Sequence, residues 1–340
     1  MLICSFMGLF TLPAQALPTP AALPFAQSDF KAVSPHAEQT WQELSHAAHQ
    51  QAIQSACEPF RLQGQGRHQG TVILLHGFTA CPQQYWDIAP KLAAAGFDVY
   101  VPLLPGHGRP YRPSADAKII DDLSAMPTEK QINHYTDFAD QLSGLITGEP
   151  GRKIMGGLSV GAGVAAAALV RHPGLYDRGI LMTPLLDVAY PDNYRLPLVN
   201  ALLPQAVGAW GPGCEAERSG GRGGYCQFKL THVRATQLLG KDVLDHLADV
   251  SATVQVIGVE NDGAANNQTI VQAIKALPFG SGCFYPKGAN HSLLSLFDAP
   301  HENKFWLDSL HRQLLRFAQT GIFFDTDGIS VETQQGICQS

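Results

Sequence analysis

The sequence predicts an α/β protein built on a doubly wound, mostly parallel sheet with an inserted cap. Three observations carry that prediction. A short apolar segment such as 71–75 has the pattern of a strand buried on both faces, as the strands of a parallel sheet are. Segments of helical period alternate with such strands, which is the rhythm of βαβ units. Between one such strand and one such helix stands Gly157-Leu158-Ser159-Val160-Gly161, with glycine at the two positions where a side chain would strike a sharply folded backbone. That is a nucleophile elbow, and it is expected to push the Ser159 hydroxyl out toward solvent.

In chain order, residues 1–10 are an apolar run, and the small residues Ala14 and Ala16 follow it. This is the pattern of a signal peptide cleaved after Ala16, although no Lys or Arg precedes the run. A secreted or periplasmic location is therefore expected. Residues 17–35 are rich in Pro and Ala, and Ser34-Pro35 opens a helix over 36–55 that lines up Trp41, Leu44, Ala48 and Ala52. Strands at 60–62 and 71–75 lie across a Gly-rich turn, a helix over 84–95 follows, and a strand at 97–101 completes the unit. An amphipathic helix over 129–146 leads to the elbow strand at 152–155, an Ala-rich helix at 164–170 and a strand at 179–182.

Over 185–247 prolines 191, 197, 204 and 212 and a glycine cluster break the rhythm, which marks the cap. Its apolar residues Tyr194, Leu196, Leu198, Val199, Leu202, Leu203 and Trp210 are read as the wall of an acyl pocket, with ordinary packing on the main domain as the alternative. Alternation resumes with a strand at 253–259, a helix at 268–276, a strand at 282–285 and a helix at 301–317, where the sheet is expected to close. The expected organisation is a signal peptide (1–16), an N-terminal extension with a helix and the first strand (17–70), two core parts (71–184 and 248–318) around the cap (185–247), and a polar tail (319–340).

The formal net charge is −6 and no dense Lys/Arg run occurs, which argues against nucleic acid or an anionic membrane surface as partner. Beyond the N-terminal run no stretch is long and apolar enough to span a bilayer. His46 and His49 have no Cys or carboxylate cluster beside them, so no metal site is expected there. Without Cys4, six of the seven cysteines remain: Cys57, Cys81, Cys214, Cys226, Cys283 and Cys338. An even number fits export, and the pair Cys214–Cys226, which brackets a Gly- and Arg-rich loop, is the favoured bridge. Cys338 is the one residue that could tether the tail.

A serine hydroxyl is a weak nucleophile at its own pKa, so Ser159 needs a base within hydrogen-bond reach and an acid to orient that base. His291 follows the strand at 282–285 on a short loop and is the expected base, since His172, His232, His246 and His301 fall on expected helices or in the cap. Asp262, after the strand at 253–259, is the favoured acid. Glu260 in the same loop and Asp187 after the preceding strand are the alternatives. A developing oxyanion needs two fixed N–H donors, for which Val160, next to the serine, and Phe78, after Gly77, are placed. His76 and His107 are read as braces of their loops.

Together His76-Gly77-Phe78, Leu104-Pro105-Gly106-His107-Gly108, the elbow, Asp262 and His291 resemble the serine α/β-hydrolase superfamily over roughly residues 70 to 318. The chain is most similar to its monoacylglycerol-lipase and carboxylesterase-like branch, the serine aminopeptidase S33 type. The resemblance implies cleavage of a small-molecule or lipid ester through an acyl-enzyme, with no metal and no organic cofactor. It departs from that branch in its longer N-terminal helix, its cysteine-bearing cap and its tail. A peptidase or acyltransferase on the same triad, and a non-catalytic ligand-binding protein of the same fold, are the alternatives.

Overall fold

The computed structural model describes residues 34–50, 52–108, 128–189, 191–211, 214, 221–285, 289–297, 304–323 and 335–337. The expected signal peptide and its cleavage site lie outside the described residues, as does Cys338. The strands are β1 (Phe60–Leu62), β2 (Gly70–Leu75), β3 (Phe97–Val101), β4 (Arg152–Leu158), β5 (Arg178–Met182), β6 (Val207–Ala209), β7 (Gln227–Lys229), β8 (Thr253–Val259), β9 (Gly280–Tyr285) and β10 (Gln335–Ile337). The helices are α1 (Pro35–Ala48), α2 (Ala89–Ala94), α3 (Thr128–Ile146), α4 (Val160–Arg171), α5 (Asp192–Leu202), α6 (Leu230–His246), α7 (Asn267–Ala276) and α8 (Leu307–Thr320).

Eight of these strands form one sheet in the order β1-β3-β2-β4-β5-β8-β9-β10. Every pairing in it is parallel except β1 with β3. The period-two alternation of a strand divides the core between the two faces. Ile73, Leu75, Met155, Leu181 and Val256 meet α1, α3, α4, α6 and α7 on one face. Val72, Leu74, Ile154, Ile180 and Ile257 meet α2 and α8 on the other. This two-sided burial is the doubly wound architecture.

The central strands also end level. Leu75 pairs with Gly157, Leu158 with Met182, Met182 with Ile257, and Val259 with Tyr285. The loops that leave their carboxyl ends therefore share one edge, where open α/β sheets bind their ligands.

Three expectations need correction. β1 and β2 are not partners across their Gly-rich turn, because β2 is occupied on both sides by β3 and β4, and β1 pairs with the far edge of β3 instead. The sheet does not close at the last helix: the tail contributes β10, which pairs with β9 in parallel although its polar sequence carries no apolar alternation. The 185–247 stretch is less irregular than its prolines suggest. Its last part is α6, a 17-residue helix that places Leu239 and Val243 in the same core as α3 and α4.

Two helices are also shorter than expected: the one placed over 36–55 ends at Ala48, and of 84–95 only Ala89–Ala94 is α-helical, after a 3-10 turn at Pro82–Tyr85. Ser34 caps α1, its hydroxyl accepting the Ala37 N–H at 3.1 Å with proline following at the first helical position. Cys214 and Cys226 are bonded, as are Cys57 and Cys81, and Cys283 is disulfide-bonded too.

Candidate active site

The elbow is where local sterics show most plainly. Ser159 has φ 58° and ψ −118°, a conformation that a non-glycine residue holds only when its surroundings enforce it. A methyl group on Gly157 would lie 2.2 Å from the Gly161 carbonyl oxygen, and one on Gly161 would lie 2.1 Å from that of Leu75. Only glycine fits at either place. The turn is held by the Ser159 N–H donating to the Met182 carbonyl at 2.9 Å, while Gly163 and Leu185 each donate to the Ser159 carbonyl at 3.1 Å.

Ser159 is also the N-cap of α4, yet its side chain accepts no helix N–H. The hydroxyl turns toward His291 instead, with 2.7 Å between Oγ and Nε2. It is not pushed into open solvent. Ser159 is 5% exposed and faces a cavity.

His291 Nδ1 lies 2.8 Å from Asp262 Oδ2 and 3.0 Å from Oδ1. The Asp262 side chain is fully buried, and its Oδ1 also accepts the N–H groups of Ala264 at 2.8 Å and Ala265 at 3.0 Å. Burial pushes its carboxyl pKa upward, but the His291 partner and these two amides outweigh burial and hold it below the ordinary carboxylate value. It stays ionised.

The two alternative acids sit elsewhere. Asp187 accepts the side-chain amide of Gln237 and its neighbour Val188 N–H, and lies 3.8 Å from Lys241, so α6 holds it. The Glu260 side chain is exposed. Thr183, whose part sequence reasoning missed, donates its hydroxyl to the His291 carbonyl at 3.1 Å and anchors that loop.

On the other side of Ser159, the loop after β2 is tied by hydrogen bonds of its own residues. His76 Nδ1 donates to the Gly77 carbonyl at 2.9 Å while Nε2 accepts the Leu104 N–H at 3.0 Å, so the ring serves as a neutral bridge. Full burial first, and the His107 ring second, push its pKa well below the usual histidine value. Gly77 donates its N–H to Gln84 Oε1 at 2.7 Å, and a methyl on Gly77 would lie 3.4 Å from Ser159 Cβ, which puts this loop against the elbow. His107 donates to the Pro105 carbonyl at 2.9 Å and meets the His76 ring at 5.2 Å.

Four non-glycine residues among the described ones have positive φ: Thr79 (57°), Ser159 (58°), Thr183 (38°) and Asn261 (57°). All four lie just beyond the carboxyl ends of strands, around Ser159, His291 and Asp262. Each such conformation costs about 1–3 kcal/mol.

A model of the alpha/beta hydrolase family matches residues 72–303. The chain belongs to this family. Among solved structures, this hydrolase is similar to a soluble variant of monoglyceride lipase from Saccharomyces cerevisiae, at 14% identity and TM-score 0.60, over 78% of this chain and 92% of that one. It is similar to the Paleococcus ferrophilus monoacylglycerol lipase at 15% identity and TM-score 0.57, over 77% and 99% of the two chains. A third likeness is to the metagenome-derived lipolytic enzymes LipS and LipT, at 18% identity and TM-score 0.58, over 79% and 99%. At such identities the likeness is one of fold.

The hydrolase's cavity is about 800 Å³ and reaches Ser159, Phe78 and His291. Leu185, Val188, Leu196, Val199, Phe228 and Val233 give it apolar walls. Of the cap residues expected to line it, Leu196, Val199 and Trp210 do so. Tyr194, Leu198, Leu202 and Leu203 do not, being 73%, 62%, 70% and 62% exposed. The reason is helical period: on α5 the residues at 194, 198 and 202 share one face, and those at 196 and 199 lie on another. Among the described residues no helix is long and apolar enough to cross a membrane.

Proposed function

We propose that the protein is a serine hydrolase that cleaves carboxylic esters through an acyl-enzyme. What carries this reading is the continuous contact from Ser159 Oγ to His291 Nε2 at 2.7 Å and from His291 Nδ1 to Asp262 Oδ2 at 2.8 Å. In the first half-reaction the ester carbonyl carbon is attacked by Ser159 Oγ as its proton passes to His291 Nε2. Asp262, ionised and buried, keeps the Nδ1–H tautomer and stabilises the imidazolium that forms. The carbonyl oxygen, now an oxyanion, is received by the N–H groups of Phe78 and of Val160, the latter at the N-terminus of α4, where the helix dipole favours negative charge. His291 then returns its proton to the leaving alcohol. Water repeats the sequence on the acyl-enzyme and releases the acid.

Apolar acyl chains fit the aliphatic walls of the cavity, and three proteins of similar fold are lipolytic by name. The disulfides Cys57–Cys81 and Cys214–Cys226 favour an oxidising compartment and agree with the secreted or periplasmic location that the N-terminal run implies. Within the expected cap of 185–247 we assign α5 and the β6–β7 hairpin as the part that lies over the site, α6 being packed in the core with α3 and α4. A series of p-nitrophenyl esters of rising acyl length, run beside amino-acid amides on wild type and Ser159→Ala, tests the reading. Ester turnover that vanishes in the variant, with fluorophosphonate labelling confined to wild type, is expected. Faster turnover of amides than of esters would move the assignment to a peptidase, and absence of labelling would refute the nucleophile.

A further inference from the structure

The hairpin above the site is fastened to the loop that carries Phe78. Trp210, which follows β6 directly, donates its indole N–H to Thr79 Oγ1 at 2.7 Å, and its backbone N–H goes to the Cys226 carbonyl at 2.9 Å. Tyr225 donates its N–H to the Thr79 carbonyl at 3.0 Å. The rings continue the connection: Trp210 meets Phe228 at 5.2 Å between centroids, and Phe228 meets Phe78 at 5.2 Å.

Around this contact the glycine-rich segment is pinned by two glutamines. Gln54 exchanges two hydrogen bonds with Gly224, at 2.9 and 3.1 Å. Gln83 takes the Gly223 N–H at 2.8 Å and gives its amide to the Gly221 carbonyl at 3.2 Å. Both sides are cross-linked as well. Cys226 is bonded to Cys214, and Cys81, two residues after Thr79, is bonded to Cys57.

Thr79 is the residue that needs such support. It is β-branched, buried and held at φ 57°, a conformation that a free loop would abandon. Were it to relax, the peptide joining it to Phe78 would rotate, and the Phe78 amide would move with it. We propose that Trp210 is a positioning residue: its indole N–H locks Thr79 and thereby aims the Phe78 N–H at the oxyanion. The hairpin then acts as a fixed buttress of the oxyanion loop, and substrate enters beside it, toward α5. This inference rests on the esterase reading given above.

The test compares Trp210→Phe, which keeps a ring on Phe228 and loses the N–H, with Thr79→Val, which keeps the branched shape and loses the acceptor. A 1 Å misplacement of a reacting group can lower rate about a hundredfold, so a partial release should lower kcat for p-nitrophenyl acetate about tenfold or more. KM is expected to stay within about twofold, because the interaction is made in the transition state. The double variant should be no slower than either single, since both break the same bond, and Thr79→Ser should keep wild-type kcat.

A rise in KM with kcat unchanged would make Trp210 a mere wall of the pocket and overturn the proposal. So would additive losses, or loss of kcat that follows a fall in thermal stability and is shared by Thr79→Ser. Fluorophosphonate labelling of wild-type Ser159 separates the two levels. Labelling with indifferent Trp210 variants sinks this inference alone, and a wild type that neither labels nor turns over esters sinks it together with the esterase reading.

Discussion

Replacing Asp262 with asparagine probes the site through a change of a few atoms. Asp262 Oδ1 accepts the Ala264 and Ala265 N–H groups, and an asparagine carbonyl in the same place keeps both bonds. The new NH2 then falls where Oδ2 stood, 2.8 Å from His291 Nδ1. Two donors cannot face each other at that distance, so the imidazole shifts its proton to Nε2. It thereby presents an N–H to Ser159 Oγ, 2.7 Å away, where a lone pair is needed. Loss of the correct tautomer lowers kcat about ten thousandfold in a serine triad, equivalent to about 5 kcal/mol of transition-state stabilisation.

Thermal stability should change far less, because the fold keeps the amide bonds and removes a buried charge. The assay is steady-state hydrolysis of a p-nitrophenyl ester across pH 6 to 9 by wild type, Asp262→Asn and Asp187→Asn, with melting curves alongside, each as about micromolar protein. Retention of more than about a tenth of kcat by Asp262→Asn, with collapse in Asp187→Asn, would refute the assignment of the acid.

Two further outcomes follow from the packing. Gly161→Ala would place a methyl 2.1 Å from the Leu75 carbonyl oxygen, so the elbow has to open; turnover should fall more than about a hundredfold, measured on folded protein, and near-wild-type rates would show that the turn is not needed. The second concerns pH. His76 and His311 are pushed below the ordinary histidine value, burial being the first cause in both, and each ring nitrogen is engaged as in a neutral ring. Unfolded histidine takes up its proton near pH 6.5 and these two, when folded, do not, so stability is lost as pH drops below that value, by up to about 1.4 kcal/mol per pH unit for each. Melting temperatures flat or rising from pH 7 to pH 5 would contradict this.

Much of the fold is legible because each signal is local or periodic. Apolar runs such as Val72 to Leu75 are buried on both faces and look it, and Ser34-Pro35 marks a helix start by capping chemistry alone. The elbow is legible because sterics leave glycine as the one solution at 157 and 161. Asp262 and His291 are proposed from their order after later strands, and they stand in hydrogen-bond contact.

What stays hidden depends on partners distant in sequence. β10 has no apolar pattern and is a strand through its pairing with β9. The faces of α5 are ambiguous, since Leu196 and Leu198 look alike until the helix is seated. Trp210 and Thr79 are 131 residues apart, and neither residue carries a motif.

The positive-φ residues around the site have a bearing on how this protein would respond to selection. Glycine at 79, 183 or 261 would relieve a local conformational cost, but at 79 and 183 it would also give up the buried hydroxyls that bond Trp210 and the His291 carbonyl, so position 261 is the easiest gain when survival to heat is all that is scored. Those same three positions flank the loop proposed to hold the oxyanion, the His291 loop and Asp262. Heat tolerance acquired there would be drawn from turnover, and libraries of this protein should be sorted on both properties at these positions from the first round.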